Sequence, residues 1–193
     1  MDYLFFLNSI LLGVGLAMDA FSVSIANGLN EPGMSRIKKC GIAGTYGFFQ
    51  FIMPMIGWVC VHTIVEFLTS FHKFVPWLAL ILLLYIGGKM IYDSLHESKE
   101  DENFAYVLDF KTLLLQGIAT SIDALSVGFT IADYDIFMAL AACLIIAAVT
   151  FAISFSGLIV GIKASGRFAR SELLGGIILI AIGLEIFIKG LFF

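Results

Sequence analysis

Met18-Asp19-Ala20-Phe21-Ser22-Val23 and Ile122-Asp123-Ala124-Leu125-Ser126-Val127 are near copies of each other, each set inside an apolar stretch in its own half of the 193-residue chain. An ionised carboxylate near a bilayer centre costs roughly 2.5–3.5 kcal/mol on insertion scales, so an aspartate placed there marks an ion or proton pathway by default. One copy in each half points to a site built by symmetry.

The surrounding composition requires lipid as the solvent. Hydrophobic residues make up 60% of the chain and charged residues 13%, with a mean hydropathy of +1.01. One small soluble core cannot hide that much apolar side chain. Runs of about 20 residues, long enough to span, fall at roughly 4–27, 41–64, 76–94, 112–132, 136–162 and 173–192, which predicts an all-α integral membrane protein of six helices. The chain opens Met1-Asp2 with no Lys or Arg before Arg36, so no cleaved leader is expected. Arg36, Lys38, Lys39, Lys99, Lys111, Lys163, Arg167 and Arg170 fall in the first, third and fifth loops, with Lys89 near the same side and only Lys73 and Lys189 opposite. The positive-inside rule then puts both termini on the non-cytoplasmic side of a multi-pass protein. The net charge of −4 owes much to the acidic segment Glu97 to Glu102, which reads as a solvated linker. Basic residues this sparse and this close to membrane edges give no nucleic-acid surface. Cys40, Cys60 and Cys143 show no ligand spacing and read as packing residues, and His62, His72 and His96 lie near helix ends or in loops.

The two halves repeat in order. Asp19 aligns with Asp123 at an offset of 104, Gly57 with Gly157 at 100 and Gly87 with Gly183 at 96. Three helices per half is an odd number, so the second half enters the membrane from the opposite side. The expected organisation is a single transmembrane transport domain over 1–193, with repeat one at 1–95, the acidic linker at 96–110 and repeat two at 111–193. Inverted repeats of this kind are common in secondary transporters, with the substrate held near the midplane at the repeat interface.

Helical spacing puts Gly15, Asp19, Ser22 and Ala26 on one face of the first helix, and Ala119, Asp123, Ser126 and Thr130 on one face of the fourth. Small residues there let backbones approach closely in lipid. Gln50, Thr150, Glu185 and Lys89 lie at comparable depth in other spans, and Gln116, Thr120 and Ser121 add oxygens to the fourth. Hard divalent cations such as Mg²⁺ and Mn²⁺ take carboxylate, amide carbonyl, hydroxyl and water ligands. Asp19, Asp123 and Gln50 form a suitable metal set, with Ser22, Ser121, Ser126, Thr120, Glu185 and Lys89 as supporting polar groups. Lys89 and Glu185 are repeat equivalents and can simply neutralise each other. Pro54 is expected to kink the second helix near Gln50 and free a carbonyl.

With these residues the chain resembles the manganese efflux pump family MntP, six-helix bacterial inner-membrane proteins related to the lysine exporter superfamily. The resemblance covers nearly the whole chain. It rests on Met18-Asp19-Ala20-Phe21, on Gly47-Phe48-Phe49-Gln50 leading into Met53-Pro54-Met55-Ile56-Gly57-Trp58, on Gly87-Gly88-Lys89-Met90-Ile91, on Ala119-Thr120-Ser121-Ile122-Asp123-Ala124 with Ser126-Val127-Gly128, and on Leu174-Gly175-Gly176 with Gly183. Together they are specific. The resemblance implies export of Mn²⁺ from the cytoplasm through the inner membrane, with both membrane aspartates essential and Mn²⁺ as substrate, no cofactor being needed. Some members of that family carry Glu at the Gln50 position and Gln at the Glu185 position. This chain departs from them by having its carboxylate in the sixth helix instead of the second, which leaves the ligand set open.

The expected mechanism is alternating access, with protons replacing the metal after release. The chain has no GxxxxGK motif followed by Ser or Thr to suggest ATP use. Three rivals remain: export of Cd²⁺, another divalent metal or a small solute on the same fold; an intramembrane aspartyl protease, disfavoured because neither aspartate has the Tyr-Asp or Gly-x-Gly-Asp context; and a non-transporting scaffold. The expectation is a transporter and not an enzyme. Oligomeric state is left open.

Overall fold

The computed structural model describes residues 3–63 and 108–165, with isolated positions between 77 and 92 and between 177 and 188. Five helices are continuous: α1 (Tyr3–Asn30), α2 (Arg36–Thr63), α3 (Phe110–Ala119), α4 (Ala124–Thr130) and α5 (Ile136–Ser165). No strand occurs among the described residues. Among the described residues four segments, Tyr3–Asn30, Arg36–Val61, Phe110–Thr130 and Ile136–Ser165, are long and apolar enough to cross a membrane. They correspond to the first, second, fourth and fifth runs expected from the sequence. The expected third and sixth helices, with Lys89 and Glu185, fall largely outside the described residues, as does most of the acidic linker at 96–110.

The helix limits have local causes. α1 runs 28 residues without proline and stops at the loop Glu31-Pro32-Gly33. Ser35 caps α2, its side-chain oxygen accepting from Lys38 N at 3.2 Å, and Asp135 caps α5 by accepting from Met138 N at 2.7 Å. α2 continues through Pro54. The fourth span departs from the expected unbroken helix over 112–132, since it is interrupted by a turn at Thr120–Asp123. There Ser121 N bonds Ile118 O and Ala124 N bonds Ser121 O, tight i to i+3 contacts in place of the α-helical ladder. The side chains of Thr120 and Ser121 close the end of α3 by donating to Gln116 O at 2.9 Å and Gly117 O at 2.7 Å.

α1 packs chiefly on α5, α4 on α2, and α2 on α5, whereas α1 and α4 meet only sparsely. The helices approach through glycine. A Cβ on Gly57 would collide with Leu125 O and lie 3.0 Å from Gly128 Cα, so α2 and α4 touch backbone to backbone. A Cβ on Gly157 would lie 2.7 Å from Phe21 O and 3.0 Å from Ser24 Cβ. At the offset of 104, Phe21 and Ser24 correspond to Leu125 and Gly128, so the two contacts map onto each other. Gly13 against Val149 corresponds in the same way to Gly117 against the Phe49 ring.

The ends of the bundle differ in charge. Arg36, Lys38, Lys39, Lys111 and Lys163 share the end where α1 and α5 finish and α2 and α3 begin. At the other end the described charges are Asp133 and Asp135, both exposed. Tyr134 between them touches Phe5 at 5.6 Å between ring centroids and accepts from Trp58 Nε1 at 3.1 Å.

Candidate metal site

Gln50 is completely buried in α2. Its Nε2 donates to Leu16 O and to Thr120 O, each at 3.1 Å. Leu16 lies one turn before Asp19 and Thr120 one turn before Asp123, and the two acceptors are equivalent under the offset of 104. A single carboxamide thus holds the two aspartate-bearing segments within reach of one nitrogen. With both N–H groups occupied, Oε1 is left buried with no hydrogen-bond partner among the described residues. Such an orphan is costly unless something else occupies it. Thr150, the residue at offset 100 from Gln50, is also fully buried with an unpartnered hydroxyl.

Asp19 and Asp123 are both half-buried. Asp123 stands at the junction between the turn and α4 with helical angles of φ −68° and ψ −30°. Discontinuous membrane helices place backbone dipoles at transporter midplanes in this way. Ser22 donates to Met18 O at 3.0 Å and Ser126 to Asp123 O at 2.5 Å, so each hydroxyl keeps its lone pairs for another donor or a cation. Thr120 and Ser121 likewise donate to their own helix. Among the described residues no three His, Cys, Asp or Glu side chains come together, and the cysteines are free and scattered. The oxygen-bearing side chains on these segments, carboxylates and neutral groups alike, are of the kind that suits a hard ion rather than a soft one.

A wide-mouthed cavity of about 620 Å³ opens beside this centre between α1 and α4. Its lining reaches Gly15 and Leu16 on one side and Val127 and Thr130 on the other, about a turn from each aspartate, and continues to Tyr134 at the Asp133–Asp135 end. Towards the basic end the same two spans are closed by a buried polar cluster. Asn27 Nδ2 donates to Tyr46 Oη at 2.8 Å and to Gln116 Oε1 at 2.9 Å; Tyr46 Oη donates to Gln116 Oε1 at 2.8 Å; Gln116 Nε2 donates to Asn27 Oδ1 at 3.2 Å. Asn27 and Tyr46 carry no signal in the sequence taken helix by helix. The repeat offsets do expose them, because their equivalents are Ile131 and Ile146, and the equivalent of Gln116 is Leu12.

Comparison with known proteins places the chain in a family. A family model described as "Putative manganese efflux pump" matches residues 33–187. The chain belongs to the MntP family. A relative from Rippkaea orientalis, named "Putative manganese efflux pump MntP", is 42% identical over 186 residues, covering 96% of this chain and 97% of its own. MntP relatives bearing that name in Methanobrevibacter smithii and Clostridium botulinum (strain Loch Maree / Type A3) are 42% and 40% identical, covering 92% and 93% of this chain and 94% and 92% of their own. No solved structure matches the chain.

Proposed function

We propose that this chain exports Mn²⁺ from the cytoplasm across the plasma membrane, binding it between Asp19 and Asp123 with Gln50 Oε1 as a neutral ligand. The names of its relatives support manganese as the substrate. The Gln50 bridge carries the site reading: it ties the two aspartate segments together and leaves a buried amide oxygen to be satisfied. Two carboxylates and a carboxamide oxygen suit a hard divalent ion completed by hydroxyls or water.

Six helices in two inverted repeats, 1–95 and 111–193, form the proposed architecture. The matching glycine contacts at offsets of 104 and 100 support it. Clustering of Arg36, Lys38, Lys39, Lys111 and Lys163 supports a cytoplasmic basic end and non-cytoplasmic termini. Transport then proceeds by rocking one repeat against the other, and protons relieve the repulsion between emptied carboxylates, making the chain a proton-coupled exchanger.

The test is manganese content in cells lacking their own exporter, with variants compared at equal membrane protein level. Asp19→Asn and Asp123→Asn are expected to abolish the fall in manganese that the native chain produces. Gln50→Leu is expected to weaken it by about tenfold in apparent affinity, equivalent to about 1.4 kcal/mol. Full restoration by either aspartate variant would sink the site. Protection against cadmium but not manganese would move the substrate to another divalent metal.

A further inference from the structure

The open cavity and the closed polar cluster occupy repeat-equivalent places at the two ends of the described bundle. Leu12, Leu16, Ile131 and Tyr134 line the cavity. An offset of 104 carries them to Gln116, Thr120, Asn27 and Asn30. Two of these four form the hydrogen-bonded cluster with Tyr46. Asn30, one turn beyond Asn27, is 4% exposed, and neither its Oδ1 nor its Nδ2 has a hydrogen-bond partner among the described residues. A buried carboxamide with neither end satisfied is unfavourable in a permanently closed interior.

We propose that the Asn27–Tyr46–Gln116 cluster is the shut counterpart of the open cavity. In the alternative state it parts to form a vestibule where the carboxamide oxygens of Asn27, Asn30 and Gln116 receive a hydrated divalent cation bound for Asp19 and Asp123. The ion-receiving role rests on the export reading; the shut mouth rests on geometry alone. Carbonyl oxygens replace part of a hard cation's water shell without trapping it as a carboxylate would. The cluster is also an openable seal. Its four hydrogen bonds join side chains on three helices, so water can take over every partner once the helices separate. Nearby basic residues then stand outside the vestibule, while its walls remain neutral.

The experiment uses the full chain with Cys40, Cys60 and Cys143 replaced by alanine, in membrane vesicles of both orientations. Ala119, 1% exposed, is the equivalent of Gly15 in the open cavity. Ala119→Cys and Gly15→Cys are labelled separately with a charged, membrane-impermeant thiol reagent. In the native network Gly15→Cys should react readily and Ala119→Cys slowly. Gln116→Leu should speed labelling of Ala119→Cys roughly tenfold, as expected when the shut state loses its differential stabilisation. Tyr46→Phe, a milder change that keeps the ring, should give a smaller rise in the same direction. Mn²⁺ should slow labelling of Ala119→Cys in the Tyr46→Phe background, and Asn30→Leu should remove that protection while Asp19→Asn retains it. Unchanged labelling in both network variants overturns the shut mouth, whatever manganese content shows. Faster labelling with no protection by Mn²⁺, in a variant that still exports, overturns the ion-receiving role. Faster labelling in a chain that carries no manganese supports the mouth and removes the export reading instead.

Discussion

The same three positions of the repeat are polar at one end of the bundle and apolar at the other. Asn27, Tyr46 and Gln116 close the basic end through a network of short hydrogen bonds, while their equivalents Ile131, Ile146 and Leu12 belong to an apolar cluster beside the open cavity. The glycine contacts at Gly57 and Gly157 are alike in the two halves, whereas the side chains at these three positions are not. An apolar seal gains by excluding water and is indifferent to partner geometry. A polar seal holds only while every donor and acceptor is met, and loses much of its advantage once water enters. One scaffold thus presents oxygens at its basic end where it presents methyl groups at the other.

The largest effect should come from breaking what the ends share. Gly57→Val and Gly157→Val each push a branched side chain into a backbone contact, against Leu125 and Gly128 in one case and Phe21 and Ser24 in the other. Both should destabilise by about 1–3 kcal/mol or more through overpacking, read as lost thermal stability in detergent. If only one of the pair is harmful, the equivalence of the halves fails.

The next test removes what the ends do not share. Gln116→Leu alone leaves Asn27 and Tyr46 buried without their acceptor and should cost about 1–3 kcal/mol. The triple change Asn27→Ile, Tyr46→Ile and Gln116→Leu copies the apolar end and should melt above the single variant, since no polar group is then stranded. A triple variant less stable than Gln116→Leu would show that the pocket shape, not hydrogen bonding, distinguishes the ends.

The smallest effect belongs to the rim. Lys38 Nζ meets Glu31 Oε2 at 2.6 Å on the basic side, with both side chains partly exposed. Lys38→Ala should shift stability by only about 0–1 kcal/mol, less at high salt. A larger, salt-independent loss in thermal melts would mean that this loop belongs to the closure.

Much of this was legible in the sequence because it depends on composition and period. Four apolar runs became membrane-length segments, and the Asp19 and Asp123 motifs identified the two spans that Gln50 joins. Gly57 and Gly157, paired in the sequence only by their offset, make matching contacts in the structure, since close helix approach leaves few alternatives to glycine. The break at Thr120–Asp123 was not legible: no proline or glycine marks it, and its cause is hydroxyls turning back onto carbonyls, a choice open to serine and threonine in any helix. The polar cluster escaped because a repeat is recognised by what matches, and Asn27, Tyr46 and Gln116 are where the copies disagree.

The glycine contacts also decide what can move. With α2 and α4 touching at Gly57 and Gly128, and α1 and α5 at Gly28 and Gly161, each pair meets backbone to backbone at those crossings. Each of these contacts joins one helix from each proposed repeat, and α2 also packs on α5, so the seam between α1 and α4 is among the most lightly held of the contacts between these four helices. Among the described helices, a small relative movement therefore meets little packed resistance beside the cavity.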